Sequence, residues 1–214
     1  MNTVPKTIKV ALLSYNGVDE LDLFGAYSVL KKAADVTPEE YQPDIDIYLA
    51  STSNETIGSS GIRFRTTNNL EQIVSASAVV IPGGKGASEA AKDERIISLL
   101  VKAFENGSTL YGICTGSLLI AATGKASHSS LAIHHNKRQM LSDHPLIHIK
   151  TGLVRDGRII TIGGDMQPSL KSIDLAFAIL TDIAPYTISP VSLRMEVIPG
   201  RGVSTYEAIS GGRQ

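Results

Sequence analysis

Tryptophan is missing from this 214-residue chain, and cysteine occurs once, as Cys114. A lone cysteine cannot close an internal disulfide, which excludes a small disulfide-stapled secreted scaffold. Neither sign of charge is in surplus. Twenty Lys and Arg against 21 Asp and Glu leave a formal net charge of −1. A general nucleic-acid binder carries a basic excess, so no nucleic-acid partner is expected. Long apolar runs are lacking too. Residues 1–9 hold no stretch of signal-peptide length. The longest runs, such as Leu118 to Ala122, fall far short of the ~20 residues that span a bilayer. The expectation is a cytoplasmic protein that makes no membrane contact. What is present suits a globular core: 43% hydrophobic residues, enough to exclude global disorder.

Short apolar runs alternate with amphipathic stretches. Ile8–Ser14, Ile45–Ala50, Ala76–Ile81 and Ser108–Ile113 read as buried strands. Residues Asp19 to Ala34, Ser88 to Asn106, Thr115–Thr123, His134 to Leu141 and Ser169–Leu180 read as helices. Ile62–Arg65 reads as a short edge strand. Thr151–Val154 and Arg158–Ile162 read as a hairpin around Asp156-Gly157. Residues 185–214 are rich in Pro, Gly and Ser, with a strand-like Leu193–Ile198. Strand–helix alternation predicts an α/β fold, a mostly parallel sheet with helices on both faces. Sites in such sheets lie at the carboxyl ends of the strands. One α/β domain over 1–184 is expected, with 185–214 as an extension rather than an independent domain.

The unusual residues cluster at those strand ends. Gly112-Ile113-Cys114-Thr115-Gly116-Ser117 joins a buried strand to a helix with no loop between them. Such a join makes a sharp turn that lifts one side chain above the sheet edge, as in the nucleophile elbow. Gly112 and Gly116 supply the small flanks. Most lone cysteines are small buried hydrophobes; this setting favours a nucleophile instead. The positive end of the following helix would bring the free-thiol pKa of about 8.5 well below about 7.

Pro82-Gly83-Gly84-Lys85-Gly86 follows another strand and lacks the spacing of a nucleotide loop. A Gly N–H here, with the N–H of Thr115, would form an oxyanion hole. Asp22 stands between Leu21 and Leu23. It is either solvated or buried at a site, where its pKa would rise and it would share a proton with the thiol. Three of the five histidines fall in His128–His135. They lack a standard zinc spacing, so no metal is expected. Either His134 or His135 would suit the role of base or orienter for Cys114.

In order along the chain, VALLSYNGVDELDLFGAYSVL, VVIPGGKGA, YGICTGSLLIAATG and DGRIITIGG are similar to the ThiJ/PfpI family, within the class I glutamine-amidotransferase-like superfamily. The resemblance spans roughly 8–182. It implies a flavodoxin-like sandwich, Cys114 as nucleophile, and Asp22 from the first helix near its sulfur. It also places Gly83, Gly84 and Thr115 around the oxyanion region, requires no cofactor, and suggests a homodimer.

Thr115 stands where the protease-like branch has His. Cys-Thr-Gly-Ser-Leu-Leu with Leu-Asp-Leu-x-Gly resembles the isonitrile hydratase branch, which adds water to an isocyanide to give an N-substituted formamide. In that chemistry Asp22 would move protons and Thr115 would orient the cysteine and polar intermediates; His134 aligns with a pocket position. The expected partner is therefore a small-molecule substrate. Glyoxalase- or deglycase-like action on reactive carbonyls and a cysteine redox or ligand sensor are the competing readings.

Overall fold

The computed structural model describes residues 7–36, 44–66, 68–163 and 170–199. From the N-terminus, β1 (Ile8–Ser14) leads to α1 (Glu20–Val36), β2 (Ile45–Ser51), β3 (Glu55–Ile57), β4 (Arg63–Arg65) and β5 (Asn68–Asn69). Then come β6 (Ala78–Ile81), α2 (Ala87–Ala90), α3 (Glu94–Glu105), β7 (Thr109–Ile113) and α4 (Ser117–Ala122). The chain continues through β8 (Ser130–Ala132), β9 (His148–Lys150), β10 (Gly152–Asp156), β11 (Ile159–Gly163), α5 (Lys171–Ile183) and α6 (Ile188–Met195).

Seven strands form the central sheet in the order β10-β11-β7-β6-β1-β2-β5. Every pairing is parallel except β10 with β11, the hairpin expected around Asp156-Gly157. β1, β6 and β7 are buried on both faces, which explains why they read as continuous apolar runs rather than alternating ones. α1 packs on α5 and α6, while α3 packs on α4 and on the 3-10 turn Leu70–Ser75. These are the two helical layers of a mostly parallel α/β sandwich.

Three local readings are corrected. The single helix expected over Ser88 to Asn106 is two. Asp93 interrupts it and caps α3, its side chain accepting from the N–H groups of Arg95 and Ile96. The 62–65 segment pairs with β3 in a separate two-stranded sheet and not at the edge of the main one. Leu193–Ile198 is not a strand: α6 runs through Met195 and ends where Glu196 turns left-handed at φ 56°. Val191 is fully buried while Leu193 is 80% exposed, a one-sided helical burial. α6 thereby fixes the start of the expected extension onto α1; residues 200–214 lie outside the described residues, as does Ser169 at the start of the helix expected over 169–180.

The sheet brings three loop starts together at one end: those after β1, β6 and β7. The first two are joined backbone to backbone. Asp19 N–H donates to the Gly83 carbonyl at 2.8 Å and Gly86 N–H to the Gly17 carbonyl at 3.0 Å. Gly84 sits in this seam at φ 137°, where an added Cβ would lie 2.2 Å from the Gly17 carbonyl oxygen. Only glycine serves there.

Candidate active site

Cys114 occupies the turn between β7 and the 3-10 segment Cys114–Gly116 that opens into α4. Its φ is 56°, a left-handed backbone that costs of order 1–3 kcal/mol for a residue with a Cβ. The turn is held from β6: a Cβ on Gly116 would lie 2.0 Å from the Ile81 carbonyl oxygen. Glycine at 116 therefore lets the elbow seat against the neighbouring strand. The strained strand–cysteine–helix geometry expected from the sequence is present, and the thiol is partly buried.

Asp22 lies on the inner side of α1 and is 5% exposed. Burial, then the charge of Asp19, raises its pKa from 3.8 to about 7. Its Oδ2 accepts from the Gly83 N–H at 3.1 Å. The other end of that same peptide unit, the Pro82 carbonyl, accepts from the Tyr15 hydroxyl at 2.7 Å. One peptide plane is thus clamped between a buried phenol and the carboxyl. Burial and the nearby Asp22 push the Tyr15 pKa far up, so its proton stays in place as a donor.

The thiol departs from expectation. Burial first, and the Asp22 charge second, raise Cys114 to about 11; Lys171 and the Thr115 N–H only partly oppose them. The helix-end argument fails on two counts. α4 is short and is preceded by a 3-10 turn, and a carboxyl adds its own repulsion. With Asp22 near 7 and Cys114 near 11, the pair holds one shared proton across that range. That proton rests on sulfur, and the Asp22 carboxyl is then the ionised group. The expected arrangement of thiolate beside protonated acid is the reverse of this resting form, though both contain the same number of protons.

The oxyanion assignment is corrected as well. Gly83 N–H is spent on Asp22, and Gly84 N–H donates to Thr115 Oγ1 at 2.9 Å. Thr115 Oγ1 in turn donates to the Gly84 carbonyl at 3.3 Å. The threonine hydroxyl therefore holds the 82–84 turn and does not orient the thiol. Its backbone N–H is what favours anionic sulfur.

A cavity of about 460 Å³ opens over Cys114, with Thr115, Gly84 and His134 in its wall. Position distinguishes the two histidines. His134 lines the cavity, and His135 stacks on it with ring centroids 4.4 Å apart. His134 Nδ1 accepts from the Asn136 N–H at 3.2 Å, which leaves Nε2 as the protonated nitrogen of the neutral ring. Burial, then Lys171, lowers its pKa from 6.5, so the ring is neutral at physiological pH.

Three contributors were not singled out from sequence: Tyr15, Asp19 and Lys171. Tyr15 directly follows a strand end, a position that could have drawn attention. Asp19 caps α1, its Oδ1 accepting from the N–H groups of Leu21 and Asp22. The Lys171 charge acts on Asp22, Cys114 and His134 alike, from a helix that arrives across the fold. No local pattern marks it. Among the described residues, no group of three or more His, Cys, Asp and Glu side chains converges as a metal site. No helix among them is long and apolar enough to cross a membrane.

With this geometry in place, residues 8–173 match the DJ-1/PfpI family. The chain belongs to that family. Isonitrile hydratase of Pseudomonas putida is 25% identical over 194 residues, covering 90% of this chain and 79% of that protein. Among solved structures, Drosophila melanogaster DJ-1beta superposes with TM-score 0.76 at 21% identity, over 90% of this chain and all of that one. A ThiJ/PfpI family protein of Pseudomonas syringae gives TM-score 0.75 at 20% identity, over 93% of this chain and 79% of that one. These two likenesses establish the DJ-1/PfpI fold. The flavodoxin-like architecture expected from the sequence is thereby confirmed.

Proposed function

We propose that the protein is a cysteine-dependent hydratase that converts a small isocyanide into its N-substituted formamide. The observation that carries this reading is the buried Asp22 carboxyl, held near pKa 7 beside a strained cysteine whose thiol keeps its proton. The similarity to isonitrile hydratase supports it. An isocyanide carbon is soft and must gain a proton as it is attacked. A thiol and a carboxylate sharing one proton meet both needs.

In the first step Asp22 takes the thiol proton as Sγ bonds to the terminal carbon, and then gives that proton to the carbon. The product is a thioimidate, Cys–S–CH=N–R, with Asp22 ionised again. Water then adds to the carbon while Asp22 takes its proton and passes it to the nitrogen. Collapse of the tetrahedral carbon breaks the C–S bond. The hydroxyl proton returns through Asp22 to sulfur, and R–NH–CHO departs. The Thr115 N–H favours the leaving sulfur anion. A group of pKa about 7 suits both directions of transfer, and such acid–base help accounts for about 10²–10⁴ in rate.

The test is a panel of alkyl and aryl isocyanides with methylglyoxal beside them, using reduced wild-type protein. Formamide from at least one isocyanide is the expected outcome. Lactate from methylglyoxal with no formamide would replace the hydratase by a carbonyl enzyme. No product at all, with Cys114 readily oxidised by peroxide, would replace both by a sensor.

A further inference from the structure

The wall of the cavity above Cys114 carries two lysine side chains. Lys85 and Lys137 both line it, and among the described residues neither is in an ion pair with a carboxylate. Lys85 is held in place: its Nζ donates to the Ser59 carbonyl at 3.1 Å, and its backbone N–H donates to Ser59 Oγ at 3.0 Å. An ammonium has three donors, so two remain for a ligand. Lys171 adds positive potential at the sulfur itself. The opposing carboxylate in the wall is Asp19, whose Oδ1 already accepts from two N–H groups at the start of α1. Asp22 lies deeper, bound to the Gly83 N–H. His134 is neutral. In the wall itself two ammonium groups, Lys85 and Lys137, thus stand against one carboxylate, Asp19, while the Glu20 carboxylate sits just behind it on the Ser60 N–H.

We propose that the natural substrate carries an anionic group, a carboxylate or one of similar size, at the end remote from the carbon that Cys114 attacks. Lys85 and Lys137 receive that group. This rests on the reading of Cys114 as the reacting atom. It specifies the substrate class further than the hydratase chemistry does, and it does not require that chemistry.

Iodoacetate and iodoacetamide separate charge from reactivity. Both form an S–CH2 bond with the same sulfur and expel iodide; only the carboxylate or amide differs. Their rate ratio cancels the thiolate fraction. Against N-acetylcysteine amide as a neutral reference, the ratio at Cys114 should be raised about fivefold in favour of iodoacetate. Lys85→Gln and Lys137→Gln should each remove about two- to threefold of this, as should salt of about 0.5 M. Both lysines are exposed, so the variants should fold. A ratio equal to the reference, or a raised ratio that survives both substitutions, overturns the proposal.

A carboxylate-bearing isocyanide and its amide extend the test to turnover, and the acid should show the higher kcat/KM. Equal kcat/KM for the two overturns the anionic preference. If neither isocyanide reacts while the alkylation ratio stays high, the hydratase reading falls and the anionic preference stands.

Discussion

Asp22→Asn should be more stable than the wild type by about 2–4 kcal/mol at about pH 8, and the difference should vanish near pH 4. In the unfolded chain Asp22 ionises near its ordinary 3.8, but in the folded protein only near 7. Between those values the folded state binds the extra proton, so stability falls as pH rises. Above about 7 the whole cost of a buried carboxylate is in place. Asparagine has no such cost, and its side-chain carbonyl can still accept from Gly83. The same substitution should lower kcat/KM by about 10²–10⁴, because nothing then carries protons between thiol, carbon and water.

Removing the Asp22 charge also relieves the thiol. Alkylation of Cys114 by iodoacetamide near pH 8 should therefore become about three- to tenfold faster. Turnover falling while alkylation rises is a split that simple disruption of the fold would not produce. Urea melts across pH, with the two rates, check it. A loss of stability at every pH, or the two rates falling together, would remove Asp22 from its assigned place.

Gly83→Ala should cost at least about 100-fold in kcat/KM while the fold survives. An added Cβ would lie 2.8 Å from both the Thr115 N–H nitrogen and Thr115 Oγ1, and 3.0 Å from Asp22 Oδ2. Gly83 has no left-handed backbone to lose, so the damage comes from contact alone. The methyl wedges apart the carboxyl, the threonine and the turn that Tyr15 pins. Crowding of this kind costs stability of about 1–3 kcal/mol. Steady-state kinetics with a thermal melt distinguish the effects. Wild-type turnover in a variant that melts at the wild-type temperature would show that the spacing around Gly83 does not matter to the chemistry.

Local pattern made part of this legible. The glycines flanking Cys114, the apolar run before it and the helix after it all act within a few residues, so the elbow could be read directly. The β10–β11 hairpin followed from Asp156-Gly157 for the same reason. The acidity of Cys114 was misread because sequence displays a helix start but not the depth of burial or the carboxyl brought in from α1. His134 and His135 are adjacent and chemically alike, and only the fold decides which one faces the cavity. The Gly83 and Gly84 N–H groups looked available for an oxyanion; Asp22 and Thr115, distant in sequence, take them up. Lys171 illustrates the limit most clearly, since its charge reaches three site groups from a helix with no motif of its own. The run from Leu193 looked like a strand because its apolar residues alternate, whereas full burial of Val191 beside an exposed Leu193 marks a helix with one buried face.

The central claim is that Cys114 is the atom that attacks the substrate. The direct measurement is turnover by Cys114→Ser, using whichever panel member the wild type consumes. Serine is close in size, so the elbow should persist and the melting temperature should stay near that of the wild type. Its hydroxyl is a far weaker acid and a harder nucleophile, and product formation should fall to the uncatalysed rate. Cys114→Ser turning over at the wild-type rate would contradict the account at its root.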